Sequence, residues 1–151
     1  MNIDYFMQTA IKEAKKAFKN EEVPVGGLIV DNESELVIAK NHNKINKSKN
    51  SMYHCEILLI IEACKKLNSK YLSNTTLFIT LEPCIMCSAA ISEVHISRVY
   101  FSAYHDRNFG IEKFCNLSKN KGNFLPDIYG GIKENESKKL MKDFFKNKRN
   151  D

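Results

Sequence analysis

The first ~18 positions of the chain alternate apolar and polar residues with the period of an α-helix. Seven apolar residues fall on one face at this spacing: Ile3, Phe6, Met7, Ala10, Ala14, Ala17 and Phe18. This pattern predicts an amphipathic helix whose apolar face packs on the rest of the protein. Pro24 marks the end of the segment, because proline cannot continue a helix.

Short β-rich runs follow this helix. Residues 25–30 and 36–39 are rich in Val, Leu and Ile, and the polar segment between them predicts an antiparallel hairpin. Residues 40–50 are polar and carry four lysines, which predicts a loop. A helix is expected at residues 54–67. Its apolar residues lie on nearly all sides, which predicts burial against a sheet.

The second half of the chain continues the alternation of helices and strands. Residues 75–81 form the clearest predicted strand, since Thr, Leu, Phe and Ile crowd this run. Four further segments are expected: a helix at residues 84–94, a strand at 96–103, a loop or short helix at 106–120, and a strand at 127–132. A C-terminal helix is expected to have an apolar face formed by Leu140, Met141, Phe144 and Phe145.

Length and composition narrow the class of protein. We expect a single domain over residues 1–151, because no linker or shift in composition divides the chain. No run approaches the roughly 18 apolar residues of a membrane helix, and the N-terminus lacks the pattern of a signal segment. A cytoplasmic protein without a membrane partner is therefore expected. The five cysteines suit metal binding in a reducing compartment better than a disulfide framework.

The distribution of charge gives a weaker indication. The formal net charge is +5, and residues 133–151 contain seven basic and four acidic residues. A local excess of positive charge favours an anionic partner such as a nucleic acid. The alternative is an ordinary solvated surface in a chain rich in Lys and Asn.

A metal-binding pattern occupies two of the predicted helix starts. His54, Cys84 and Cys87 are residue types that bind zinc, and a catalytic zinc takes three protein ligands and keeps one position for water. Glu56 lies two residues from His54, so its carboxylate can transfer protons between water and substrate without binding the metal. The partial positive charge of a helix N-terminus favours the thiolate form of the cysteines. The combination predicts a catalytic zinc site with a proton shuttle.

A closed zinc site that only holds the fold is the alternative interpretation. It needs a fourth ligand, for which the chain offers Cys55, Cys64, Cys115, His42, His95 and His105. The corresponding function would be a non-catalytic zinc module that binds RNA. Glu56 argues against it, because a structural site has no need of a shuttle carboxylate.

Several stretches beyond the metal motif carry a resemblance to a known family. They are Glu22-Val23-Pro24-Val25-Gly26, Asn43, the run Thr80-Leu81-Glu82-Pro83-Cys84-Ile85-Met86-Cys87, Arg98-Val99-Tyr100-Phe101, and the C-terminal Gly131-Ile132, Glu136, Leu140 and Asp143-Phe144-Phe145. Together they resemble the zinc-dependent cytidine and adenosine deaminases. Within that superfamily the chain is most similar to the bacterial tRNA-specific adenosine deaminases, and the likeness runs almost end to end.

The resemblance implies the roles of the site residues. His54, Cys84 and Cys87 would bind one Zn²⁺ per subunit, and Glu56 would be the general acid and base. Among the substrate-binding positions, Asn43 would hydrogen-bond the target nucleotide, and the backbone near Val25, Gly26 and Pro83 would shape the base pocket. Phe145 would stack near the base. Arg149, with Lys146 and Lys148, would lie near phosphates. From the residues alone, Asn43 can also be interpreted as a turn residue in an Asn-rich loop. Phe144 and Phe145 can divide between core and RNA contact, because adjacent helix positions point about 100° apart.

The resemblance also implies the fold, the partners and the reaction. The expected fold is a three-layer α/β/α domain with a mixed five-stranded sheet, assembled as a homodimer. The implied substrate is the wobble adenosine in the anticodon stem-loop of an arginine tRNA, which is converted to inosine. The alternative is a deaminase of a free nucleobase or nucleoside, such as cytosine or guanine.

Two positions depart from the family pattern. Cys55 stands where alanine is usual between the histidine and the glutamate. After residues 101–103 the family commonly has an acidic residue that contacts the substrate backbone. Here the sequence continues as Tyr104-His105-Asp106-Arg107, and both His105 and Asp106 are candidates for that role.

Overall fold

A single mixed sheet forms the centre of the protein. The computed structural model describes residues 1–105 and 109–149. The strands are β1 (Gly26–Asp31), β2 (Val37–His42), β3 (Thr75–Leu81), β4 (Arg98–Ala103) and β5 (Asp127–Tyr129). Their order is β2-β1-β3-β4-β5, with β1 antiparallel to both β2 and β3, and with β3, β4 and β5 mutually parallel.

Helices cover both faces of this sheet. They are α1 (Ile3–Lys19), α2 (Ile45–Ser48), α3 (Cys55–Leu67), α4 (Ile85–Glu93), α5 (Ile111–Ser118) and α6 (Glu134–Arg149). Side chains alternate along each strand. Leu28 and Phe78 therefore pack under α1 in one core cluster. Ile29 and Ile79 face the other cluster, under α3 and α4. This arrangement confirms the predicted three-layer α/β/α fold.

The first half of the chain follows the sequence-based predictions with one exception. Helix α1 and the β1–β2 hairpin are confirmed, although β2 runs on to His42. The prediction of a loop over residues 40–50 was wrong, since residues 45–48 form α2. The residue that stabilises α2 is distant from it in sequence. The buried carboxylate of Glu22 accepts hydrogen bonds from the backbone N–H groups of Asn46 and Lys47, each at 2.9 Å.

The predicted burial of the helix at residues 54–67 is correct for one face only. Leu59 and Ala63 of α3 are buried against the sheet. Ile61 points the other way and is 55% exposed, while Ile57 and Leu58 beside it are only partly buried. A helix on the outside of a three-layer fold contacts the sheet along one stripe. Ile57, Leu58 and Ile61 therefore form an apolar, accessible part of the side of α3 that points away from the sheet.

The later elements match the predicted pattern with shorter bounds. Strand β3 and the helix after Pro83 are confirmed, and β4 begins at Arg98. The alternative of a short helix within residues 106–120 is confirmed as α5, while Asp106 lies outside the described residues. Strand β5 ends three residues earlier than predicted, before Gly130 and Gly131, and Gly131 has a φ of 86° that interrupts an extended strand. None of the helices described in this structure is long and apolar enough to cross a membrane.

Candidate active site

The three predicted metal ligands lie at the N-termini of two neighbouring helices. His54 is the N-cap of α3, and Cys84 is the N-cap of α4, both with extended backbone. Cys87 lies in the first turn of α4 and is buried. Cys84 comes shortly after the end of β3 at Leu81, since Pro83 prevents the strand from continuing with regular pairing. Two helix starts therefore meet at one point, as the sequence predicts.

The side chains of these residues fit a zinc ion. The Nδ1 atom of His54 is 3.7 Å from Cys84 Sγ and 3.6 Å from Cys87 Sγ. All three ligand atoms lie within 4.8 Å of one another. A tetrahedral zinc with Zn–N of about 2.0–2.1 Å and Zn–S of about 2.3 Å separates its nitrogen and sulfur ligands by about 3.6 Å. The spacing of the donor atoms thus matches the coordination geometry of zinc.

The two thiols form a hydrogen-bonded pair with unequal acidity. A hydrogen bond from Cys87 lowers the pKa of the Cys84 thiol to about 3, and the His54 ring adds to this effect. The pKa of Cys87 is raised, because its proton is held by the Cys84 thiolate and because it is buried. Contact with Cys84 also raises the pKa of His54. Such a cluster of one thiolate, one thiol and an imidazole exchanges its proton for a metal cation.

Glu56 lies in the first turn of α3 and is 4% exposed. Burial raises the pKa of its carboxyl group to about 7, and the nearby Cys84 thiolate adds to the increase. The Cys87 thiol hydrogen-bonds the same carboxyl group. A carboxyl group of this kind, next to the ligands but outside the ligand set, is suited to accept and return a proton near neutral pH.

A fourth protein ligand is absent from the described part of the chain. The one group of His, Cys, Asp and Glu side chains there that could hold a metal consists of His54, Cys84 and Cys87. Cys55 is fully buried, and its Sγ lies 3.2 Å from the backbone oxygen of Asn41, on the β2 side of α3. Three ligands leave an open position for water, which favours a catalytic over a closed structural site.

Asn43 connects β2 to the start of α3. Its Oδ1 accepts a hydrogen bond from the Cys55 backbone N–H at 2.8 Å, and its Nδ2 donates to the Val23 carbonyl at 3.2 Å. The residue is 5% exposed. Asn43 therefore supplies the side-chain cap that His54 does not provide for α3. This contact gives Asn43 a structural role that the sequence did not indicate.

The predicted pocket residues Val25, Gly26 and Pro83 are all buried. The Gly26 N–H donates to Thr80 Oγ1 at 3.1 Å, which joins β1 to β3. A Cβ atom at Gly26 would overlap the backbone of Ala14 and Ala10 in α1. The lack of a side chain at Gly26 therefore permits close packing of α1 on β1, a role separate from the base pocket that the resemblance implies for its backbone.

The two phenylalanines of α6 have different environments. Phe144 is 6% exposed and packs edge-to-face on Phe18, with ring centroids 5.7 Å apart. Phe145 is 44% exposed. Arg149 is also exposed, and its Nε donates to the Phe145 carbonyl at 3.3 Å. Phe144 thus belongs to the interior, while Phe145 and Arg149 are on the surface near the end of α6.

Sequence reasoning missed two buried carboxylates that hold backbone segments in place. Glu22 holds α2, as described above, and Glu82 accepts hydrogen bonds from the backbone N–H groups of His105 and Glu112. Both lie in the stretches that resemble the family. Hydrophobic periodicity could not find them, because it treats every glutamate as a surface residue.

His105 is the one candidate of the pair His105 and Asp106 that falls within the described residues.

Comparisons with known proteins agree with this geometry. The zinc-binding region of cytidine and deoxycytidylate deaminases matches residues 1–103. A tRNA-specific adenosine deaminase of Rickettsia bellii is 41% identical over 93% of this chain and 97% of the relative, and one of Aquifex aeolicus is 40% identical over 99% and 98%.

A solved structure from a study of A-to-I editing by tRNA:A34 deaminases at the wobble position of transfer RNA superposes with a TM-score of 0.83. It is 35% identical, with 90% of this chain and 98% of that one covered. The matched zinc-binding region contains the three ligands and Glu56. The chain therefore belongs to the zinc-binding cytidine and deoxycytidylate deaminase family, in its branch of bacterial tRNA-specific adenosine deaminases.

Proposed function

We propose that this protein is a zinc-dependent deaminase that converts the wobble adenosine of a tRNA anticodon to inosine. The observation that carries the proposal is the buried Glu56 carboxyl group beside three ligands with an open fourth position. The relatives named tRNA-specific adenosine deaminase, which match nearly the whole chain, support the substrate. We assign an arginine tRNA as the specific substrate and the cytoplasm as the location, with residues 1–151 forming one deaminase domain.

The reaction adds water at C6 of adenine and releases ammonia. Zinc held by His54, Cys84 and Cys87 would supply the polarisation that lets water lose a proton near neutral pH. Glu56 accepts that proton and delivers it to the ring nitrogen. It then takes the remaining proton of the added hydroxyl group and gives it to the amino group, which departs as ammonia while the C6=O bond forms. The new C6–O bond and the lost C6–N bond leave inosine. The burial of Glu56 keeps bulk water away from this proton transfer.

The base pocket is formed by backbone and by one amide side chain. We assign the walls to the backbone near Val25, Gly26 and Pro83. The Asn43 amide group has two N–H donors, of which one bonds to the Val23 carbonyl. We assign the other N–H to the target nucleotide. Because the Asn43 oxygen is held by the Cys55 N–H, the orientation of this amide is fixed before substrate arrives.

The C-terminal helix provides a surface suited to RNA. Inside α6, Lys138 pairs with Glu134 and Lys139 with Asp143. The last turn contains Lys146, Lys148 and Arg149 and no acidic residue. Flexible cations of this kind bind phosphates, and the exposed Phe145 ring offers a face on which a base can stack.

A cleft between the end of α1 and α6 extends this surface. Its volume is about 340 Å³, and its lining combines aromatic, basic, polar and acidic side chains: Phe18, Lys19, Glu21, Phe144, Asn147 and Lys148. The cleft lies beside the segment that leads to Val25. Two phenylalanines and two lysines in one cleft suit a nucleotide that neighbours the target base in an opened anticodon loop.

A homodimer accounts for the apolar face left open on the zinc helices. Ile61 of α3 and Ile85 of α4 are 55% and 52% exposed, and Met52 before α3 is also exposed. Several large apolar side chains exposed on neighbouring elements favour an interaction site. Because α3 and α4 contact each other and both carry metal ligands, a second copy on this face would place the two sites close to the subunit interface.

The test is inosine formation on a synthetic arginine-tRNA anticodon stem-loop by zinc-loaded protein. Free adenosine, cytosine and guanine are incubated in parallel, with the Glu56→Ala variant as control. Inosine at the wobble position, without turnover of the free compounds, is the expected result. Turnover of a free base alone would assign the chemistry to a free-base deaminase, and equal turnover by Glu56→Ala would refute the role of Glu56.

A further inference from the structure

A second buried carboxylate, besides that of Glu56, lies beside the metal ligands and has no part in the chemistry described above. Glu82 is 6% exposed and precedes the ligand Cys84 by two residues. Its backbone N–H donates to the Ala103 carbonyl at the end of β4, at 2.8 Å. A carboxylate at such a position must find hydrogen-bond donors, because burial without them is costly.

Glu82 finds these donors in the connection between β4 and α5. Oε1 accepts from the His105 N–H at 3.2 Å, and Oε2 accepts from the Glu112 N–H at 3.1 Å. Glu112 is the second residue of α5, whose own N-cap, Gly110, has no side chain to provide this bond. One carboxylate therefore holds both ends of the connection and caps the helix that follows it.

The same connection touches the metal ligand directly. Gly110 and Cys84 form an isolated antiparallel bridge. A Cβ atom at Gly110 would overlap the Glu82 carboxylate group. The backbone of Gly110 is therefore packed directly against the Glu82 side chain. Movement of the connection would consequently shift the wall next to Cys84 and the backbone of the ligand itself.

We propose that Glu82 is a positioning residue, which holds His105, Gly110 and Glu112 against the Cys84 turn and so fixes one wall of the active site. The expected effect of Glu82 on turnover rests on the proposed deamination of tRNA. The hydrogen bonds that Glu82 accepts are independent of that proposal. Glu82→Gln tests this at nearly constant volume. The substitution replaces one acceptor oxygen with an NH₂ donor, which then faces a backbone N–H donor and cannot bond to it.

The experiment measures amide hydrogen exchange and activity on the zinc-loaded full chain. In Glu82→Gln, the His105 or Glu112 amide should exchange about tenfold faster, because a hydrogen bond to a charged acceptor is lost. Zinc content should remain one per chain. The value of kcat/KM on the stem-loop should fall about tenfold, as is common when a group that supports a metal site is altered.

Glu22→Gln is the matched control. Glu22 is also buried and also accepts two backbone N–H bonds, from Asn46 and Lys47. This variant should speed exchange at Asn46 and Lys47 and leave His105 and Glu112 unchanged. If Glu82→Gln does not fold, Glu82→Asp keeps the charge on a shorter side chain, and one of the two amides should still lose protection.

Three results would overturn the proposal. They are wild-type exchange at both His105 and Glu112, faster exchange spread evenly over the chain, or unchanged kcat/KM in a variant whose two amides have become unprotected. A wild-type protein that does not convert the stem-loop would instead refute the proposed function. The exchange rates would in that case still decide whether Glu82 holds the connection.

Discussion

The Oδ1 atom of Asn43 lies 2.8 Å from the backbone nitrogen of Cys55 and caps the helix that begins beside the metal ligand His54. The two residues are distant in sequence, and both are buried. This bond links the end of β2 to the start of α3. The orientation of His54 and Glu56 thus depends on a residue for which the sequence predicted either a substrate contact or a turn, and not the cap of a helix.

Replacing Asn43 should therefore affect stability as well as activity. Asn43→Ala leaves the buried Cys55 N–H without a partner and should lower the free energy of unfolding by about 1–3 kcal/mol. Urea unfolding of the zinc-loaded protein measures this loss. Asn46→Ala is the control, since the Asn46 side chain makes an exposed contact to the Glu21 carbonyl, and it should cost below about 0.5 kcal/mol. Equal stability of Asn43→Ala and wild type would contradict the capping role.

Glu56 should be needed for turnover and dispensable for the fold. Glu56→Gln preserves size and removes the group that carries protons, so kcat should fall about a thousandfold. Removing a buried ionisable group should not lower stability. Single-turnover assays, metal analysis and thermal unfolding measure the three properties separately. Loss of zinc in this variant would mean that Glu56 is a ligand, contrary to the assignment made here.

Zinc content should depend on three residues and on no other cysteine. Cys87→Ser should bind zinc weakly and lose activity, because a hydroxyl replaces a buried thiolate ligand. Cys64→Ser is the matched control, since Cys64 lies outside the ligand group within the described residues, and it should keep one zinc per chain and full activity. Metal analysis after dialysis against a chelator provides the measurement. Zinc loss in Cys64→Ser would instead support the alternative interpretation, a closed structural zinc site with four protein ligands.

The open face of α3 should hold the homodimer together. Ile61→Glu puts a charge at the centre of that face and should yield a monomer in sedimentation equilibrium, with the fold retained. Leu36→Glu, in the turn between β1 and β2, changes a side chain that is even more exposed. It should leave the mass unchanged. A monomeric wild-type protein at micromolar concentration would refute the proposed assembly.

Substitution of one of the two adjacent phenylalanines of α6 should reduce stability, and substitution of the other should reduce RNA binding. Phe144→Ala empties a buried site against Phe18 and should cost about 3–5 kcal/mol of unfolding free energy. Phe145→Ala should barely change stability, but it should weaken stem-loop binding by about 1–3 kcal/mol if a base stacks on the ring. Urea unfolding and fluorescence anisotropy measure the two effects. Unchanged RNA affinity in Phe145→Ala would remove this residue from the interface.

The sequence by itself determined most of the helices and strands and the candidate metal ligands, while its resemblance to the deaminase family implied the layered fold. Helix and strand periods are local properties of the chain, so α1, the β1–β2 hairpin and β3 could be recognised from apolar spacing alone. The ligand types and their positions at helix starts likewise indicated zinc, and the distances from His54 to the two cysteines agree with it.

Only the tertiary structure decided which polar groups support that site. Asn43, Glu22 and Glu82 are buried because backbone N–H groups from remote segments need acceptors at those points. The exposure of Ile61 was likewise decided by the position of α3 on the outside of the sheet. Such pairings depend on which segments meet in space. A pattern along the chain contains no information on the partner of a buried carboxylate or on the free face of a helix.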